Sequence, residues 1–109
     1  MKIDLVDYQG NKVIEPSGDI DMYSSPVLRK ELMRQIDAKA QLLLVDFSNV
    51  SYIDSSGIAT FVEGLKTMKT YGGRLKLIGL PESIMEIFRF SKLDSIFEIY
   101  GNMDEAINS

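Results

Sequence analysis

The run Leu42-Leu43-Leu44-Val45-Asp46-Phe47 is apolar at every position but Asp46, shows no alternation from Leu42 to Val45, and has polar residues on both sides. A strand with one face in water alternates, so an unbroken apolar strand has to be covered on both faces. Parallel sheets layered between helices provide that cover, and their strands are joined by right-handed helical crossovers. The run therefore predicts a central parallel strand, and the sequence around it has to supply helices.

It does. Upstream, Leu28, Leu32 and Ile36 recur every four residues and are joined by Met33, while Arg29, Lys30, Arg34 and Asp37 fall elsewhere on the cylinder. Ser24-Ser25-Pro26 predicts where that helix starts, with Ser25 as N-cap and Pro26 at the first helical position. Downstream, Ile58, Phe61, Val62, Leu65 and Met68 have the spacing of a buried helical face, and Gly72-Gly73 ends it. Arg74 to Ile78 reads as a strand. Leu80-Pro81-Glu82 opens a third helix with Ile84, Ile87 and Phe88 inward. Ile96 to Tyr100 reads as a last strand, and Asn102 with Glu105 three residues later resembles a capping box for a short final helix.

The N-terminal segment is different. Ile3 and Leu5 alternate with Lys2 and Asp4 in a half-buried strand running to about Tyr8. Gln9-Gly10-Asn11 is a turn, and Lys12-Val13-Ile14-Glu15 is the hairpin partner. Pro16 should mark a strand end or an edge, and Ser17-Gly18-Asp19 a turn or bulge. The order strand, strand, helix, strand, helix, strand, helix, strand, helix predicts an α/β fold. Residues 1–109 form one compact domain, a mostly parallel sheet preceded by an antiparallel hairpin, with about four helices.

Composition narrows the function. The chain has no histidine, the commonest general base and metal ligand, and no cysteine for disulfides or thiolate metal sites. Twelve Lys and Arg are scattered among sixteen Asp and Glu, for a net charge of −4, so no nucleic-acid partner is expected. No apolar run approaches the roughly 20 residues that span a bilayer, so no membrane partner is expected either. Met1-Lys2-Ile3-Asp4 does not open a signal peptide, and a cytoplasmic location is expected.

The candidate site is Asp54-Ser55-Ser56-Gly57, between the segment Val50 to Ile53 and the helix that begins near Ile58. A helix start carries free backbone N–H groups and a partial positive charge, and this one also displays two hydroxyls. In parallel sheets, ligands and partners meet the edge where strand carboxyl ends feed helix starts. Ile20 to Ser25, Ser51 to Gly57 and Gly79 to Glu82 all lie at that edge, which brings the Asp21 loop beside the Asp54 turn. Asp54 is a cap whose carboxylate can also orient a serine or touch a partner. Asp21 by itself reads as a solvated turn residue. Met22 and Tyr23 either anchor an interface or cover the end of the core. Gly57 either leaves room for a partner or packs against the strand before it.

Several blocks together, Gly18-Asp19-Ile20-Asp21, Ser25-Pro26, Leu44 to Val50, Ile53 to Ile58, Gly72-Gly73-Arg74-Leu75 and Glu105-Ala106, resemble the STAS domain. Within it they look most like the stand-alone bacterial anti-sigma factor antagonists. One departure is Lys92 before Leu93, where the family often has glycine; a left-handed lysine there costs ~1 kcal/mol unless the helix ends differently.

The resemblance implies a switch rather than an enzyme. The unphosphorylated protein binds an anti-sigma factor with serine-kinase activity and so frees a sigma factor. Phosphorylation separates the pair, and a metal-dependent serine phosphatase reverses the mark. By this likeness the phosphoacceptor is Ser56, with Ser55 as alternative, and the partner-binding residues are Asp21, Met22, Tyr23, Ser24, Asp54, Ser55 and Gly57. ATP and metal belong to the partners, so this chain is expected to hold no cofactor and no metal, and to have no catalytic residue. A phosphate on Ser56 is expected beside unpaired N–H groups, leaving the fold intact. The alternative is a STAS scaffold or adaptor subunit, in a stress-sensing complex or with a lipid-transport ATPase, without a phosphoserine switch. A serine-nucleophile enzyme is disfavoured, because neither a Gly-x-Ser-x-Gly elbow nor a Ser-x-x-Lys occurs at this turn.

Overall fold

The computed structural model describes residues 1–109. The elements are β1 (Lys2–Tyr8), β2 (Asn11–Ile20), α1 (Ser25–Asp37), β3 (Leu42–Asp46), β4 (Val50–Ile53) and α2 (Ser55–Lys69). They continue with β5 (Arg74–Ile78), α3 (Glu82–Phe90), a 3-10 turn (Leu93–Ser95), β6 (Glu98–Tyr100) and α4 (Met103–Ile107). The sheet order is β1-β2-β3-β5-β6, with β4 also paired to β2. Only β1 and β2 are antiparallel. The α/β architecture with an N-terminal hairpin is as expected from the pattern.

The unbroken apolar run of β3 has its explanation in two cores. Leu43 and Val45 join Leu28, Leu32, Phe61, Leu65, Ile84 and Phe88 from α1, α2 and α3 on one face. Leu44 points the other way, to Val13, Ile78 and Ala106 under α4. On that face Lys76 is buried too, and its ammonium donates to the Ala106 carbonyl at 2.5 Å and the Ser109 hydroxyl at 2.9 Å. Burial, then the nearby Arg74, lowers its pKa, and the carbonyl at the end of α4 helps hold the charge.

Four local expectations change. Pro16 ends no strand: β2 runs through it, opposite Ile3. On its other side β2 pairs with β3 at Lys12–Ile14 and with β4 at Gly18–Ile20, so Pro16 falls in the gap between partners, where no ladder needs its N–H. Val50–Ile53 is a strand in its own right, a sixth one that its four residues did not announce. The cap of α1 is Ser24 rather than Ser25, which moves Pro26 to the second helical position. The last strand is shorter than expected, because Leu93–Ser95 winds into the 3-10 turn and leaves only Glu98–Tyr100 to pair. Gly18 does form the bulge, with φ +92° at the register shift against β4, and Lys92 does adopt the left-handed conformation, with φ +60°.

Candidate functional site

The start of α2 is fastened from three directions. Asp54 is extended, and its Oδ1 accepts the N–H of Ser56 at 2.9 Å and of Gly57 at 3.2 Å. The same oxygen accepts the Ser56 hydroxyl at 2.6 Å. The Asp54 N–H in turn donates to the Ile20 carbonyl at 3.0 Å, tying the cap to the end of β2. The Ser56 hydroxyl lowers the Asp54 pKa most; partial desolvation opposes it, and N–H groups of Gly57, Ser56 and Met22 add to the lowering. Asp54 is thus an ionised cap at neutral pH, and its N–H on the carbonyl of Ile20 places the adjoining Asp21 loop beside it.

Ser56 sits between two helices. Its Oγ donates to Asp54 and accepts the Ser25 hydroxyl at 3.3 Å, so Ser25, which the sequence pattern marks as a cap, here orients the candidate phosphoacceptor. Ser56 is half-buried. Ser55, one position earlier, is exposed.

The loop before α1 is a self-bonded turn. Asp21 Oδ1 accepts the N–H groups of Tyr23 at 2.9 Å and Ser24 at 3.0 Å. The Ser24 hydroxyl accepts the Asp21 N–H at 2.9 Å and donates to the Asp19 carbonyl at 2.7 Å. This arrangement fixes the backbone and holds the side chains of Met22 and Tyr23 outward, 66% and 84% exposed. They do not cover the core. Asp21 itself shapes the turn that presents them.

Gly57 is buried and offers no surface. A Cβ on it would stand 2.6 Å from Ile20 Cγ2 and 2.8 Å from Ile53 Cγ1. Of its two roles, close packing against the preceding strands is the one the geometry supports. The third edge segment, Gly79 to Glu82, makes no hydrogen bond to this cluster; Gly79 packs instead against Ser48 and Asp46.

Two features had no signal in the pattern. A shallow groove beside Ser55 is lined by Ile58, Ala59, Val62 and Glu63 of α2 and by Ser91 and Leu93 across from it. Further along α1, Arg29 forms a bidentate pair with Glu63, Nε at 2.8 Å and Nη2 at 2.7 Å. No cluster of three or more His, Cys, Asp or Glu side chains is placed to hold a metal ion.

A two-core sheet with a capped, hydroxyl-bearing helix start beside an exposed loop defines a small domain of the α/β class. The chain belongs to the STAS domain family, whose model matches residues 2–106. It is similar to the anti-sigma-B factor antagonist of Bacillus subtilis (strain 168), with 34% identity over 107 residues, 98% of this chain and 97% of that one. Solved structures share the fold. An anti-sigma factor antagonist from Mycobacterium paratuberculosis superposes with a TM-score of 0.88 at 21% identity, covering 98% of this chain and 91% of that one. The Bacillus cell fate determinant SpoIIAA in its phosphorylated form gives 0.75 at 22% identity, covering 98% and 97%.

Proposed function

We propose that this chain is an anti-sigma factor antagonist whose unmodified form binds an anti-sigma factor that is also a serine kinase, and that phosphorylation of Ser56 ends the binding. Its relative in Bacillus subtilis carries the antagonist name, and a fold relative has been solved phosphorylated. The observation that carries the reading is the hydroxyl relay Ser25 to Ser56 to Asp54, next to the exposed Met22 and Tyr23. It gives one serine a defined orientation at a surface built to present apolar anchors. A metal-dependent serine phosphatase would reset the switch, with its metal on the phosphatase. The setting is the cytoplasm, and no helix here is long and apolar enough to cross a membrane.

The relay also explains how a phosphate acts. The N–H groups of Ser56 and Gly57 are already taken by Asp54, so they are not free to receive it, contrary to the expectation from a bare helix start. Phosphorylation removes the hydroxyl donor and sets a charge of about −1.5 to −2 against a carboxylate. The phosphate therefore turns away from Asp54 toward the surface. Like unit charges ~4 Å apart repel by roughly 4 kcal/mol at an effective dielectric near 20. A partner presenting one acidic group there loses about a hundredfold or more in affinity.

Calorimetry against the kinase partner tests this. Ser56→Ala should bind as wild type, while Ser56→Asp should lose tenfold or more and keep the wild-type circular dichroism. Undiminished binding by Ser56→Asp refutes the switch. Because Ser55 is the exposed hydroxyl and no hydrogen bond occupies it, the second reading puts the phosphate there, and phosphosite mass spectrometry on kinase-treated protein decides between them.

A further inference from the structure

α1 and α2 run side by side, their first turns meeting at Ser25 and Ser56. Arg29 lies four residues after Ser25, so the two share a face of α1 about 6 Å apart along its axis. Helical side chains lean toward the helix N-terminus, and an extended arginine is long enough to cover that rise. The guanidinium is now spent on Glu63, with about half of each side chain exposed to water. The pair is bidentate but open to solvent screening, so a neighbouring group with more charge than one carboxylate can compete with Glu63 for the guanidinium.

A phosphate on Ser56 is repelled by Asp54, and the other neighbour of the Ser56 oxygen is Ser25 on α1. Turning from the first toward the surface carries it past the α1 side, and so within the sweep of Arg29. We propose that Arg29 reads the phosphate: in the modified protein it leaves Glu63 and clamps phosphoserine 56 through two parallel N–H donors. This rests on the reading of Ser56 as phosphoacceptor. The kinase forms the Oγ–P bond and breaks the terminal phosphoanhydride of ATP, releasing ADP and the hydroxyl proton. Everything after that step is non-covalent. The dianion offers three acceptor oxygens and more charge than a carboxylate, and the planar fork of arginine matches it.

The exchange has a consequence for the partner. Glu63 lines the groove with Ile58, Ala59, Val62 and Leu93, and once Arg29 leaves, its carboxylate stands there with Lys66, one turn on along α2, as the nearby cation. Modification at one point then alters the charge of the surface at two.

The test uses full-length protein with phosphoserine installed at position 56 by amber suppression, so it does not depend on the kinase. The second ionisation of the phosphate is followed by phosphorus NMR against pH. Asp54 acts to raise that pKa, while Arg29 acts to lower it. Arg29→Gln should raise it by about half a unit or more, roughly threefold in proton affinity, and Arg29→Lys should fall between. In wild type the Arg29 Nε–H resonance should shift on phosphorylation, a readout that needs no variant to fold. Equal phosphate pKa values in wild type and Arg29→Gln, or an unmoved Arg29 resonance, would overturn the proposal. If the phosphoserine protein still binds the anti-sigma partner at full strength, the switch at Ser56 has failed, and that result is separate from whether Arg29 engages the phosphate.

Discussion

Replacing Gly57 with alanine sets two effects of opposite sign against each other. In a helix, alanine is favoured over glycine by up to ~1 kcal/mol, and propensity alone therefore predicts a more stable protein. The new methyl, however, would lie 2.6 Å from Ile20 Cγ2, 2.8 Å from Ile53 Cγ1 and 3.2 Å from the Ile20 carbonyl oxygen. Carbon atoms rest at about 3.5–4.0 Å, so both isoleucines must retreat by roughly an ångström. They are 0% and 2% exposed, and β-branching leaves them few rotamers. The carbonyl is held as well, because it accepts the Asp54 N–H. Overpacking of this kind costs about 1–3 kcal/mol, and so confined a site belongs in the upper half of that range. The net loss is about 1–2 kcal/mol, or a melting temperature lower by roughly 4–12 °C in a domain of this size. Thermal and urea unfolding followed by circular dichroism measure it. Gly64→Ala is the internal contrast: its methyl meets the Cδ2 end of Leu32 at 2.7 Å, a side chain that can swing more easily, so the loss there should be smaller. A Gly57→Ala protein that melts at or above wild type would refute the packing argument and restore the view that Gly57 serves a partner.

The remaining predictions are simpler. Asp54 has a folded pKa below its unfolded one, so its stabilisation is complete above the ordinary carboxylate range and is lost as the pH falls through the lower folded value. Asp54→Asn should therefore flatten the acid limb of a stability-against-pH profile; an unchanged limb would show that Asp54 is not linked to folding. Lys92→Gly relieves a left-handed lysine and should stabilise by up to about 1 kcal/mol, with a lower urea midpoint as the contrary outcome. Tyr23→Ala, at an 84% exposed side chain, should leave unfolding unchanged while weakening the kinase partner's binding roughly tenfold. Equal affinity by calorimetry would remove Tyr23 from the interface.

The amino-acid pattern set the layered α/β plan, because burial on both faces leaves an unbroken apolar run like Leu42–Val45 few other homes. It also determined the Asp54 cap and the Asn102 cap, since capping is local chemistry that a few adjacent residues complete. The meeting of the Asp21 loop with the Asp54 turn was legible one step later, from the rule that strand carboxyl ends share an edge. Tertiary structure alone decided the rest. β4 is too short to declare itself and exists because β2, more than thirty residues earlier, has a free stretch of edge past β3. Gly57 is close-packed because Ile20 and Ile53 converge on it from different strands. Ser25 reaches Ser56, and Arg29 reaches Glu63, across gaps of 31 and 34 residues that no periodicity spans. So the tetrapeptide Asp54-Ser55-Ser56-Gly57 reads from its local chemistry as a helix start with two hydroxyls, which only the family resemblance ranks, Ser56 before Ser55. Packing against α1 made them unequal, leaving Ser55 exposed in water and binding Ser56 into a relay between two helices.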